Sequence, residues 1–287
     1  MLDAVTVDHR VLDERKRAFD EFGYVVIPNV LPPAKVAAQL AAIEEIRGSV
    51  PTAPGSGLTI RPVIDKHRAF EELLIWPSTF ATVVKLLGHY NIQLTQSHVM
   101  EAVPSHARRL TGWHSDGGIP SITVNGIRAF GSLKVGYSLR DLTQANSGSL
   151  MVVPGSHRMQ GAPPFHPDTR DPVGAVEVRL GAGDAVVFQQ GVWHAAAPNL
   201  SQQTRVLVYF GYGYRVFRPV DYQHMPAHVL AGRDGVVRQL LGETVTHQGY
   251  YVPTLEDAPL RTWYEANFGA SADRGGLERV AAVAIDP

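Results

Sequence analysis

The chain of 287 residues carries 26 Lys+Arg against 27 Asp+Glu, is 45% hydrophobic and contains no cysteine. Its balanced charge, without a basic tract or acidic tail, argues against nucleic acid or a charged membrane surface as partner; no apolar run approaches the roughly 18 residues of a membrane span. The missing cysteines exclude disulfides, thiolate metal sites and cysteine nucleophiles, and leave histidine and carboxylate as metal ligands.

In chain order, residues 12–22 and 33–47 read as helices, the second with Val36, Leu40, Ile43 and Ile46 at helical spacing behind Pro32-Pro33. Gly23 to Pro28 between them is a short strand. A third helical stretch covers 69–87, broken or restarted at Pro77 and stopped at Gly88. From residue 92 the apolar period becomes two, giving strands at 92–103, 121–126, 130–140, 149–153, 174–180, 184–189 and 204–214. Strands without intervening helices indicate a closed or sandwiched antiparallel sheet rather than a βαβ wind. Residues 222–268 read as helical and irregular, packed outside or roofing a site. With no repeat, linker or low-complexity segment, the chain reads as one domain over 1–287: N-terminal helices and first strand to 90, a sheet core over 91–215, and a C-terminal segment over 216–287. The N-terminus has no apolar stretch that would mark a secretory signal, which suits a soluble, cytoplasmic protein.

The chemistry-bearing motif is Gly112-Trp113-His114-Ser115-Asp116. Side chains alternate along an extended strand, so His114 and Asp116 share a face and can reach one ion while Ser115 points away. Trp193-His194, after the strand at 184–189 and the Gln190-Gly191 turn, brings a second histidine from another strand. Two imidazoles and a carboxylate form the ligand set of a facial triad, which suits Fe(II) and leaves positions open for a chelating cosubstrate and O₂. Arg205, eleven residues after His194, stands where a 2-oxoglutarate carboxylate would be anchored. A His-x-Asp by itself also occurs in surface turns and N-caps. The weight comes from its combination with Gly181-x-Gly183-Asp184, His194 and Arg205.

With these residues the chain resembles the phytanoyl-CoA dioxygenase family of Fe(II)/2-oxoglutarate oxygenases. The matching segments are Phe22 to Leu31, the His114-x-Asp116 pair, and Ser149-Leu150-Met151-Val152-Val153-Pro154-Gly155-Ser156-His157-Arg158. Gly183-Asp184 through His194, Pro198-Asn199-Leu200-Ser201 and Arg205 complete the pattern. The resemblance implies a mainly β fold with flanking helices around a double-stranded β-helix, a jelly-roll or cupin-like core. It implies His114, Asp116 and His194 as iron ligands and Arg205 as the 2-oxoglutarate-binding arginine. The reaction it implies consumes 2-oxoglutarate and O₂, releases succinate and CO₂, and oxidises a small-molecule metabolite or natural-product intermediate. Halogenases of the family have a small residue where this chain has Asp116, so hydroxylation or a related oxidation is favoured over halogenation.

Other residues carry two readings each. Gln96, His98 and Met100 share a strand face; Gln96 could hydrogen-bond 2-oxoglutarate or substrate, or be a satisfied core amide, and His98 reads first as a core histidine. Thr111, three residues before His114, is a place where relatives contact the cosubstrate. Lys134 and Ser138 share a face that could point into the barrel, although a solvated lysine is the commoner explanation. His157 reads as a backbone cap, Trp113 and Trp193 as packing support. Arg61 and Arg215 could meet an anionic substrate or make salt bridges. The loops at 50–62, 104–110 and 159–173 and the C-terminal region read as the pocket wall, and their mixture of apolar residues, proline and few charges favours a neutral, moderately hydrophobic substrate. Two alternatives to hydroxylation stand: the same cofactors with epimerisation, cyclisation or desaturation as outcome, and a non-redox cupin-like isomerase or binding protein in which Arg205 is a structural ion pair.

Overall fold

Turn and cap residues set the N-terminal elements of this computed structural model, which describes residues 2–53, 55–105, 112–116, 123–124 and 127–270. Helix α1 (His9–Phe22) starts at Asp8, whose carboxylate accepts from Val11 N, and stops at Gly23 in the left-handed region, φ 81°. α2 (Pro33–Arg47) begins with proline, whose missing N–H costs nothing at a helix start. The helical stretch expected over 69–87 splits into α3 (Glu71–Leu74) and α4 (Pro77–Leu87), because Pro77 cannot continue the preceding turn. The C-terminal part holds α5 (Ala227–Leu230), α6 (Gly235–Leu240) and α7 (Leu260–Phe268). None of the described helices is long and apolar enough to cross a membrane.

The strands are β1 (Tyr24–Ile27), β2 (Thr59–Ile60), β3 (Ile92–Ala102), β4 (Thr123–Val124), β5 (Ile127–Arg128), β6 (Ser132–Ser138), β7 (Leu150–Val152), β8 (Val176–Val178), β9 (Ala185–Gln189), β10 (His194–Ala196) and β11 (Arg205–Tyr214). The larger sheet runs β1-β9-β6-β11-β3-β2 and the smaller β10-β7-β8, all pairs antiparallel. β4 and β5 pair with each other, and the rest of the strand expected at 121–126 lies outside the described residues. β2 and β10 are absent from the sequence reading, since two or three residues are too few to show a period.

Alternation divides the larger sheet into two buried faces, which is why β9 reads as an unbroken apolar run. Val135, Tyr137, Val187, Val208 and Phe210 face the helices, packing in one core with Phe80, Val84, Val237 and Leu260. Val186, Phe188, Leu207 and Tyr209 face the other way and pack on Leu150, Val152 and Val178 of the smaller sheet. Each such apolar side chain contributes about 1.5–3 kcal/mol by leaving water. The result is the expected jelly-roll core, helices on its outer face, with polar side chains interrupting the space between the sheets.

Candidate metal centre

β10 opens at His194, and His114 lies against it through a two-bond bridge: His114 N donates to His194 O at 3.0 Å and His194 N to His114 O at 2.8 Å. Asp116 N donates to Gln190 O at 3.0 Å, so both ends of the His-x-Asp segment are tied to the chain that carries His194. The imidazoles stand with centroids 4.3 Å apart. One ligand atom from each of His114, Asp116 and His194 lies within 4.8 Å of the others.

The donor set fits a divalent ion. Nδ1 of His114 lies 2.7 Å from Gly112 O, and Nδ1 of His194 lies 2.9 Å from Val192 O. A carbonyl only accepts, so each Nδ1 carries the hydrogen and each Nε2 keeps its lone pair for a metal. Burial lowers the pKa of His194 to about 4, against the pull of Asp116, which keeps the ring neutral at physiological pH. Burial opposes ionisation of Asp116, but Lys134 and His194 outweigh it and hold its pKa below the usual carboxylate value. Asp116 Oδ2 is buried and 3.9 Å from His194 Nε2.

The motifs around the triad hold it in place. Ser156 of the Pro-Gly-Ser-His segment accepts from Trp193 N at 2.8 Å, and Val153 N donates to Trp193 O at 2.9 Å, fixing the residue before His194. Asp184 accepts from Asn29 N and Gly181 N at 2.8 and 2.7 Å, pinning the entry to β9. Asn199 donates to Ala102 O and Gln203 O at 2.7 and 2.8 Å, shaping the turn into Arg205. His157 Nε2 lies 3.2 Å from Asp20 O, the backbone role expected for it. Trp113 donates to Asp171 at 2.9 Å, and Trp193 meets Phe165 edge-on, both as support.

Register places the remaining candidates. One cross-strand row over the interior face runs Phe188, Lys134, Gly211, Gln96, and the next Val186, Gly136, Tyr209, His98. A Cβ on Gly136 would meet the Tyr209 ring at 2.6 Å, and one on Gly211 would meet Gln96 Cγ at 2.6 Å, so both glycines make room for interior side chains. Gln96 is buried and lies over Gly211, in the same row as Lys134. His98 stacks on Tyr209 at 5.0 Å; burial first, then Arg61 and Lys134, push its pKa down to about 3. Thr111 lies outside the described residues.

Lys134 corrects the expectation of a solvated lysine. It is 7% exposed, its ammonium is 2.8 Å from Asp116 Oδ2, and it lies 5.8 Å from the Phe188 ring centre. The sequence signal was the alternation Ser132-x-Lys134-x-Gly136-x-Ser138 against Leu133-x-Val135-x-Tyr137, which marks a polar face without saying whether it meets water or a site.

Arg205 is 4% exposed, and no carboxylate among the described residues pairs with it. Its Nε has no hydrogen-bond partner. Burial lowers its pKa, opposed only by the neighbouring Tyr209 hydroxyl. Burying a guanidinium with no acid beside it among the described residues is costly unless a partner compensates its charge. A cavity of about 330 Å³ beside this end includes Gly112, Glu101, Ala196 and Asn199. A larger one of about 610 Å³ lies at the other end of β11, near Arg215, Arg218 and Tyr222; size does not make it the site, because the ligand set is elsewhere.

The family model for phytanoyl-CoA dioxygenase (PhyH) matches residues 19–207. Dioxygenase af480 of Aspergillus fumigatus is 24% identical, over 84% of this chain and 79% of its own. HygX of Streptomyces hygroscopicus, solved with nickel and 2-oxoglutarate, superposes with a TM-score of 0.60 at 21% identity, covering 74% of this chain and 90% of that one. The epimerase SnoN, solved with Fe³⁺, alpha-ketoglutarate and nogalamycin RO, gives 0.59 at 20% identity, covering 79% and 93%.

Proposed function

The chain belongs to the phytanoyl-CoA dioxygenase (PhyH) family of 2-oxoglutarate-dependent non-haem iron enzymes, and from that premise we propose that His114, Asp116 and His194 hold its Fe(II) and that Arg205 anchors 2-oxoglutarate. The observation that carries the reading is the buried guanidinium of Arg205, with no acid beside it among the described residues, in the same interior as three convergent ligand atoms. An ion pair with a cosubstrate carboxylate answers its desolvation; a purely structural role leaves a buried cation unmatched.

The bound pair supplies activation of O₂, with 2-oxoglutarate leaving as succinate and CO₂. The chain's own contribution is geometric and electrostatic. Gly112 O and Val192 O orient the two imidazoles, Gln190 O holds the backbone of Asp116, and Phe188 packs 5.1 Å from the His194 ring. Val186, Phe188, Leu207 and Tyr209 keep water from the floor. Gln96 and His98 line the space beside the metal, where Gln96 is a hydrogen-bonding group for cosubstrate or substrate.

The substrate is a small molecule, and hydroxylation is the leading outcome. Epimerisation or ring closure is the second reading, favoured by likeness to an epimerase and to the carbocyclase SnoK. We read residues 1–287 as one catalytic domain, since α6 and α7 add Val237 and Leu260 to the core shared with the larger sheet. Succinate formation from 2-oxoglutarate with Fe(II), ascorbate and O₂, followed by mass spectrometry, tests the proposal. Wild-type protein should form succinate and His194→Ala none. Equal succinate from both proteins, or none from iron-loaded wild type, refutes it.

A further inference from the structure

We propose that Lys134 couples iron to cosubstrate: its ammonium opposes Fe(II) alone and favours Fe(II) bound together with 2-oxoglutarate. The inference rests on the reading above and goes beyond it. Lys134 is held between Phe188 on one side and Gly211 on the other by the register of β6, and its ammonium is 2.8 Å from Asp116 Oδ2. Any ion that takes up the Asp116 carboxylate shares that carboxylate with a second cation already buried beside it.

The charge balance makes the consequence specific. Among the described residues the interior holds one carboxylate, Asp116, and two cations, Lys134 and Arg205. The two ligand histidines add no charge when an ion is bound, since each keeps its hydrogen on Nδ1 for a backbone carbonyl and leaves Nε2 bare, and His98 is buried against the Tyr209 ring. A divalent ion added to that set leaves three net positive charges beside the buried Lys134, Arg205 and His194. Repulsion between cations a few ångströms apart is strong where the local dielectric is low. A 2-oxoglutarate dianion removes two of the three. The dianion need not bridge both cations: Lys134 pairs with Gly211, six positions along β11 from Arg205, or about 20 Å of strand. Lys134 therefore acts through charge on the metal side while Arg205 grips the far carboxylate. Linkage is reciprocal, so iron must raise 2-oxoglutarate affinity by the same factor.

The test is anaerobic calorimetric titration with Fe(II), with and without saturating 2-oxoglutarate, on wild type, Lys134→Met, Lys134→Gln and Lys134→Arg. The neutral variants should bind Fe(II) alone at least tenfold more tightly than wild type, about 1.4 kcal/mol, and the enhancement given by 2-oxoglutarate should shrink at least tenfold. Lys134→Arg should keep the wild-type pattern. Unchanged or weaker Fe(II) binding in a folded neutral variant would mean that Lys134 only holds Asp116 in place, and overturns the proposal. So does tighter binding with undiminished enhancement. Wild type that takes up no Fe(II) or shows no effect of 2-oxoglutarate fails differently: it removes the functional reading, and this inference with it.

Discussion

Two buried arginines end the same strand and differ in what their guanidinium groups meet. Arg215, just beyond β11, is 3% exposed and gives its guanidinium to the backbone: Nη1 donates to Asp257 O at 2.6 Å and Nη2 to Glu243 O. Arg205, at the other end, is equally buried and has no acid among the described residues. One arginine braces the C-terminal segment against the jelly roll; the other has no such backbone partner among the described residues, and its proposed partner is the cosubstrate. Burial alone does not separate a structural cation from a binding one. What the guanidinium is spent on does.

The comparison breaks most visibly at the ligands themselves. His114→Ala or His194→Ala should abolish iron-dependent turnover with the fold retained, checked by succinate formation and circular dichroism; a fully active variant would remove that residue from the centre. Arg215→Met should cost roughly 3 kcal/mol of stability, from two charge-assisted bonds lost, with 2-oxoglutarate affinity intact in the folded fraction; chemical denaturation and cosubstrate titration separate the two effects. Arg205→Met should do the reverse, weakening 2-oxoglutarate by about 2–3 kcal/mol while leaving the melting temperature at or above wild type. A destabilised Arg205→Met protein with unchanged cosubstrate affinity would make the two arginines alike.

Asp257 sharpens the structural end. Its carboxylate accepts from Val245 N, Thr246 N and Oγ1, and Thr254 N and Oγ1, at 2.7–3.1 Å. Burial raises its pKa, yet these hydrogen bonds outweigh that and hold it below the usual carboxylate value. A depressed folded pKa contributes stability that is complete above about pH 4 and lost as pH falls through the folded value. Asp257→Asn should therefore cost roughly 1–3 kcal/mol at neutral pH and narrow its gap to wild type in acid. A gap that widens below pH 4 contradicts this account.

The proposed ligand set was legible from motifs, a His-x-Asp pair, a histidine after a recognisable turn and an arginine eleven residues on; the extended strand expected for the pair reduces to an isolated bridge at His114, with no strand over 112–116. Gln96 and His98 were legible as a shared face of β3. Lys134 was not, because alternation says which residues travel together and not which way they face. Its direction is decided by helices covering the opposite face through Val135 and Tyr137. The segment carrying His194 is a three-residue strand, fixed by partners far away in sequence at Val152 and His114. Arg215 stayed ambiguous for the same reason, since its partners at 243 and 257 lie in a segment with no strong period. The expectation of a neutral, moderately hydrophobic substrate rested on loop composition, and most of the loop at 104–110 lies outside the described residues.

The central claim is that iron and 2-oxoglutarate meet between the triad and Arg205, and anaerobic titration of the apoprotein with Fe(II) and then 2-oxoglutarate tests it most directly. The chelate's weak visible charge-transfer band should appear and saturate in wild type and in Arg215→Met, and be absent from Arg205→Met at the same concentrations. No band in folded, iron-loaded wild type, or the same band in Arg205→Met, would contradict the claim.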